Sequence, residues 1–203
     1  MNWKDDAAYV KSLRDYIFLT VVLFLASAIL GFLAASNDPE LAISQIEEFG
    51  NMFEWILNLS PPLIMLAIFL NNLIASIVAM LLGVGFGIVP AIISILNGFM
   101  IGIVAYYAIE VEGVAFLVAA ILPHGIIELP TVLICISVGF RLGHLLLLAL
   151  MGRKVDLGGE MRSALSLLKW VVLLLLLAAM IETFITPVLI QHFIDPQPLS
   201  VME

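Results

Sequence analysis

Basic residues are scarce in this chain: 203 residues carry eight Lys plus Arg against sixteen Asp plus Glu, a formal net charge of -8. Nucleic-acid binding needs a basic face to neutralise phosphates, and eight cations on an acidic chain do not supply one. There is a single cysteine, Cys135, and it lies inside an apolar run. This excludes an intrachain disulfide framework and a cysteine-rich metal motif. Strand-like alternation of apolar and polar residues is also missing, which argues against a membrane barrel. So is a His-Glu-x-x-His helix, and no Ser or Cys stands beside a base as a nucleophile would require.

What is present is hydrocarbon. Apolar residues make up 63% of the chain, charged residues 12%, and the mean hydropathy is +1.18, whereas a soluble domain is roughly half apolar. Breakers divide the sequence into five runs near the length a helix needs to cross the bilayer: Tyr16 to Ala35, Leu63 to Leu82, Val84 to Ala108, Val114 to about Ile136, and Trp170 to Ile190. Backbone amides in lipid must be paired within their own segment, so these runs predict helices. The expected fold is all-α, a polytopic transmembrane bundle of about five spans within one membrane-embedded domain over residues 1–203. The first run is longer than a cleavable leader requires and is read as a retained span.

All eight positive charges fall in two places. Lys4, Lys11 and Arg14 precede the first span; Arg141, Arg153, Lys154, Arg162 and Lys169 separate the fourth from the fifth. With five spans both regions share a face, which the positive-inside tendency makes cytoplasmic. Residues 1–15 and 140–168 are then cytoplasmic and the C-terminus extracytoplasmic in a cell membrane. Residues 36–60 form an acidic extracytoplasmic loop, joined on that face by Glu110, Glu112, Asp195 and Glu203. Val114 to Leu150 as one helix would run about 55 Å, nearly twice the hydrocarbon thickness. The expectation is therefore a fourth span followed by an interfacial helix, Phe140 to Met151, with six spans as the alternative. Arg141 and His144 belong to that interface.

The fourth run contains Pro123-His124-Gly125-Ile126-Ile127-Glu128-Leu129-Pro130, two ionisable groups bracketed by prolines. Proline removes a backbone donor and crowds the preceding turn, so the span is expected to break here, and broken helices near the midplane are where transporters place substrates. His124 and Glu128, at i and i+4, share a helix face and can hold a proton or a cation together. Alternatively they satisfy backbone groups freed at a kink. Asn71 and Asn72 in the second span, Asn97 in the third and Glu182 in the fifth lie at similar depth. An asparagine there also serves as interhelical glue, but Glu182 stands about 20 Å along its helix from Lys169 and needs a partner or a proton. Gly83 and Gly87, Gly98 and Gly102, and Gly139 and Gly143 are spaced for close helix packing, within one chain or between two.

These residues resemble the stage II sporulation protein M (SpoIIM) family. The resemblance is carried by Asn71-Asn72, by Asn97-Gly98 with Gly102, by Leu122 to Pro130 with Gly139 and Gly143, and by Glu182 with Thr186-Pro187. It implies a multi-span helical membrane protein that, in sporulating bacteria, belongs to a complex remodelling peptidoglycan during engulfment, its partners carrying the hydrolytic activity. Relatives also occur where there are neither spores nor peptidoglycan, so the family name does not set the function.

Three functions follow. In a cation or small-solute transporter or channel with a polar site at the bilayer midplane, His124, Glu128 and Glu182 bind a metal cation or relay protons, and Asn71, Asn72 and Asn97 supply neutral oxygens. In a scaffold of an envelope-remodelling complex, the polar centre only fixes packing. In an intramembrane metalloenzyme, the same His and two carboxylates ligate zinc and leave an open position. The bilayer is the certain partner; a second copy or complex partners are further expectations.

Overall fold

The computed structural model describes residues 3–194, which form eight helices: α1 (Trp3–Ser12), α2 (Arg14–Asn37), α3 (Pro39–Leu57), α4 (Pro61–Leu81), α5 (Ile88–Glu112), α6 (Val114–Leu150), α7 (Leu157–Phe184) and α8 (Thr186–Ile194). Five segments are long and apolar enough to cross a membrane: α2, α4 with the 3-10 turn that follows it, α5, α6, and α7 continued through α8 to Gln191. The expected all-helical bundle of five spans is present. Asp195 and Glu203, placed on the acidic face from the sequence, lie outside the described residues.

Two glycine seams set how closely the helices approach. Where α2 crosses α5, Gly31 lies on the backbone of Phe99, Gly98 on the Phe24 carbonyl and Gly102 on the Ala28 carbonyl. Where α6 meets the end of α4, Gly139 lies on the Ala79 carbonyl and on Gly83, and Gly143 on the Gly83 carbonyl and the Gly87 amide. Any side chain at these positions would meet main chain, and close backbone approach is what small residues permit in lipid. All three Gly-x-x-x-Gly pairs are thus used inside the chain. Phe86 (φ 59°) and Gly87 (φ 78°) complete the reversal from α4 to α5.

Three expectations need correction. The fourth span does not break at Pro123–Pro130: α6 is one helix of 37 residues with both prolines inside it. Prolines are tolerated where neighbouring helices and hydroxyls support the freed backbone, and here the Thr131 hydroxyl donates to the Ile127 carbonyl at 2.7 Å beside Pro130. The discontinuity falls in the fifth span instead, at Ile185 between α7 and α8. Pro187 sits there in the first turn of a new helix, where its missing N–H costs least. Second, Phe140 to Met151 is no separate interfacial helix, nor is there a sixth span among the described residues; these residues continue α6, up to Leu150, past the α4–α5 turn. Third, the segment 36–60 is not a loop. Its centre is α3, a helix of 19 residues whose Ala42 and Ile46 pack with Ala35 of α2 and Ile103 of α5, while Glu40, Glu47, Glu48 and Glu54 face outward.

The main core lies toward the basic end, where Leu13, Met80, Cys135, Val138, Leu142, Leu167 and Leu175 close on one another. Polar links inside the bundle join α2 to α6: Ser137, fully buried, donates to the Thr20 hydroxyl at 2.9 Å.

Candidate functional site

Two polar assemblies stand at different depths. The deeper one contains most of the residues expected from sequence. His124 and Glu128 lie one turn apart on α6, facing Glu182 on α7, and a ligand atom of each lies within 4.8 Å of the others. All three side chains are half-buried. Among the described residues, neither His124 Nδ1 nor Glu128 Oε2 meets a hydrogen-bond partner, although both atoms are buried.

Glu128 is also where two cavities meet. A cleft of about 370 Å³ between α5 and α6 is lined by Asn97, Met100, His124 and Glu128 among apolar side chains. A smaller cavity of about 70 Å³ is lined by Asn72 of α4, Asn97 of α5, Glu128 of α6 and Phe24 of α2. At about 30 Å³ per water, the smaller space suits one or two waters or a desolvated ion. Asn72, Asn97, His124, Glu128 and Glu182 are thus gathered from four helices. Asn71 is not gathered with them: it lines neither cavity, and its amide donates to Asn72 Oδ1 at 3.4 Å, while Asn97 is itself exposed but lines both. Successive helical residues point about 100° apart, so adjacent asparagines cannot both face inward. Asn97 divides its amide, with Nδ2 donating to the Ile93 carbonyl at 2.8 Å.

The second assembly, at the basic end, had no precedent in the sequence reading beyond the placement of Arg141 and His144. Helix α1 is tied to α6 and α7 by buried charges. Asp6, 3% exposed, receives a bond from Lys169 Nζ at 2.6 Å, one from the Trp170 indole at 3.1 Å and one from the Ser166 hydroxyl. Glu160, 7% exposed, accepts from Arg141 Nη2 at 3.0 Å and from the Tyr9 hydroxyl at 2.5 Å. Arg141 Nη1 also donates to Ser12 Oγ at 2.6 Å, and its guanidinium lies 5.4 Å from the Tyr9 ring centre. Tyr16 Oη and His144 Nδ1 are 2.6 Å apart. The signal available in sequence was the spacing of Asp6, Tyr9 and Leu13, one face of a short helix. Burial, and then the Glu160 carboxylate, push the Tyr9 hydroxyl well above its usual range.

The Lys169 ammonium, and next the Ser166 hydroxyl, hold the Asp6 carboxyl at about 2 rather than 3.8. A carboxyl whose value is depressed by folding contributes stability above its unfolded value and loses it as pH falls through the folded one. The contribution of Asp6 to the docking of α1 is therefore full above about pH 4 and is lost as pH falls toward about 2. With Trp3 and Trp55 replaced by Phe, Trp170 fluorescence in detergent should change across that window, and Asp6→Asn should abolish the transition. A transition that persists unchanged in Asp6→Asn would assign it to another group.

Residues 20–187 match the family described as stage II sporulation protein M. The chain is similar to an uncharacterized protein of Methanocaldococcus jannaschii, 29% identical over 177 residues that cover 84% of this chain and 93% of the relative. No solved structure matches it. From within the first span to the kink in the fifth, both glycine seams and the whole His124, Glu128 and Glu182 cluster fall within the matched residues, and the chain belongs to the stage II sporulation protein M family.

Proposed function

We propose that this membrane protein is a transporter or channel for a cation, with protons as the alternative cargo, and that His124, Glu128 and Glu182 form its central site, with Asn72 and Asn97 as neutral oxygen donors. The observation that carries this reading is the convergence of these side chains from four helices on Glu128, at a depth where lipid solvates none of them. A carboxylate there requires a proton or a counter-cation. All eight Lys and Arg lie in the two segments at the other end, so within the cluster only a proton, which His124 can carry, or a bound ion can offset the carboxylates. The acidic rim at Glu40, Glu47, Glu48, Glu110 and Glu112 would concentrate cations on the side opposite the basic end, and that basic end is assigned to the cytoplasm.

Purified protein in liposomes should then show cation or proton flux above empty vesicles, and Glu128→Gln should reduce it by at least about tenfold, the smallest loss expected when a ligand is removed. Equal background flux from both proteins would reject the reading. The scaffold reading has one observation in its favour, the Asn97 amide spent on its own helix. It expects Glu128→Gln to change thermal stability in detergent and nothing specific to ions.

A further inference from the structure

The donor set at the deep site is more selective than a general cation site. A point amid three atoms that lie within 4.8 Å of one another is within about 2.8 Å of each, so small side-chain rotations reach the 2.0–2.2 Å of transition-metal bonds to imidazole and carboxylate. The groups are near enough to share an ion, and His124 Nδ1 and Glu128 Oε2 are buried without a hydrogen-bond partner among the described residues. Two carboxylates and a neutral imidazole carry a charge of two, which a divalent ion cancels and a monovalent ion does not. An uncancelled charge at this depth is costly. Imidazole disfavours the hard, all-oxygen coordination that magnesium and calcium prefer. Copper(I) is best matched by thiolate and thioether, whereas the three grouped ligands are one imidazole and two carboxylates.

We infer that His124, Glu128 and Glu182 bind one divalent first-row transition-metal ion, of the manganese-to-zinc class, between α6 and α7. This rests on the reading of the cluster as a cation site and names its ion. Asn97 and Asn72 line the cavities that Glu128 also lines, on the side of Glu128 toward α4 and α5.

The test uses the full-length protein in detergent, stripped with chelator, with Co²⁺ as the probe. One Co²⁺ per chain is expected, with a visible ligand-field spectrum and a rise in melting temperature that Mg²⁺ and Ca²⁺ at the same concentration do not produce. His124→Gln should remove the spectrum, and Glu182→Gln should weaken binding at least tenfold. The chain has three histidines, and the other two are His144 and His192. A His144→Gln, His192→Gln double variant should keep the spectrum, which separates the site from adventitious binding to those imidazoles. Melting curves in chelator establish that each variant is folded. For any that is not, X-ray absorption of the wild-type Co²⁺ complex supplies the ligand count, with one imidazole expected. Stabilisation by Ca²⁺ or a monovalent ion but not Co²⁺, or a Co²⁺ spectrum that survives His124→Gln, overturns the ion assignment and leaves the cation site standing. No stabilisation by any cation, together with flux that Glu128→Gln does not alter, overturns both.

Discussion

Arg141→Met is expected to lower unfolding free energy by about 3–5 kcal/mol, the cost of leaving a buried carboxylate without its partner. Glu160 is 6% exposed at its side chain, and both oxygens are engaged, one by Arg141 and one by Tyr9. Removing the guanidinium also frees Ser12 and uncovers the Tyr9 ring, so α1 loses two of its anchors at once. Much of the loss is the stranded charge itself, and Arg141→Met combined with Glu160→Gln should recover most of it. A double-mutant cycle in detergent, read by thermal or denaturant unfolding, measures that coupling. A single-variant cost below about 1 kcal/mol, the range of exposed pairs, would mean that water reaches the pair and that it does not anchor the N-terminal helix.

Gly139→Leu should be among the most damaging apolar substitutions, with those at Gly83 and Gly102. A Cβ at this position runs into the Ala79 carbonyl, and the ring of Pro90 closes another side. Overpacking typically costs 1–3 kcal/mol when side chains can yield; here the obstacle is main chain, so a cost of at least about 3 kcal/mol is expected. The substitution raises hydrophobicity and preserves the span, so insertion should proceed while the α4–α6 seam fails to close. Size-exclusion profile and melting temperature report this directly. Gly50→Leu is the control, because a Cβ there meets nothing within 4 Å. Equal behaviour of the two variants would show that the seam has room for side chains.

The number of spans was legible because hydrocarbon imposes a length and forbids unpaired backbone, two constraints that act residue by residue. The position of the discontinuity was not. Local proline rules favoured Pro123 and Pro130, yet both are carried within α6, while Pro187, beside Thr186, opens α8. The cost of a proline depends on what surrounds the freed carbonyl, which is a tertiary property. Helix α3 was hidden by its four exposed glutamates, although Ala42 and Ile46, one turn apart, carried the apolar face that packs. Shared depth in sequence marked the deep cluster, but the rotation that separates Asn72 from Asn71 needed the packed helices. Asp6 and Glu160 carried no signal in the sequence because their partners are distant in the chain: Ser166 lies 160 positions from Asp6, and Tyr9 lies 151 from Glu160. No local pattern encodes such pairs.

The unbroken course of α6 and α7 has a mechanical consequence. One rod carries Glu128 and Arg141, the other Glu182 and Glu160, and neither is interrupted between its two functional residues. The two rods are joined at the basic end by Arg141 and Glu160 and face each other again, deeper in the bundle, through the Glu128 and Glu182 carboxyls. A separation at the ion pair would be passed toward the carboxyls along helices whose one point of flexure between the two is Pro130 of α6.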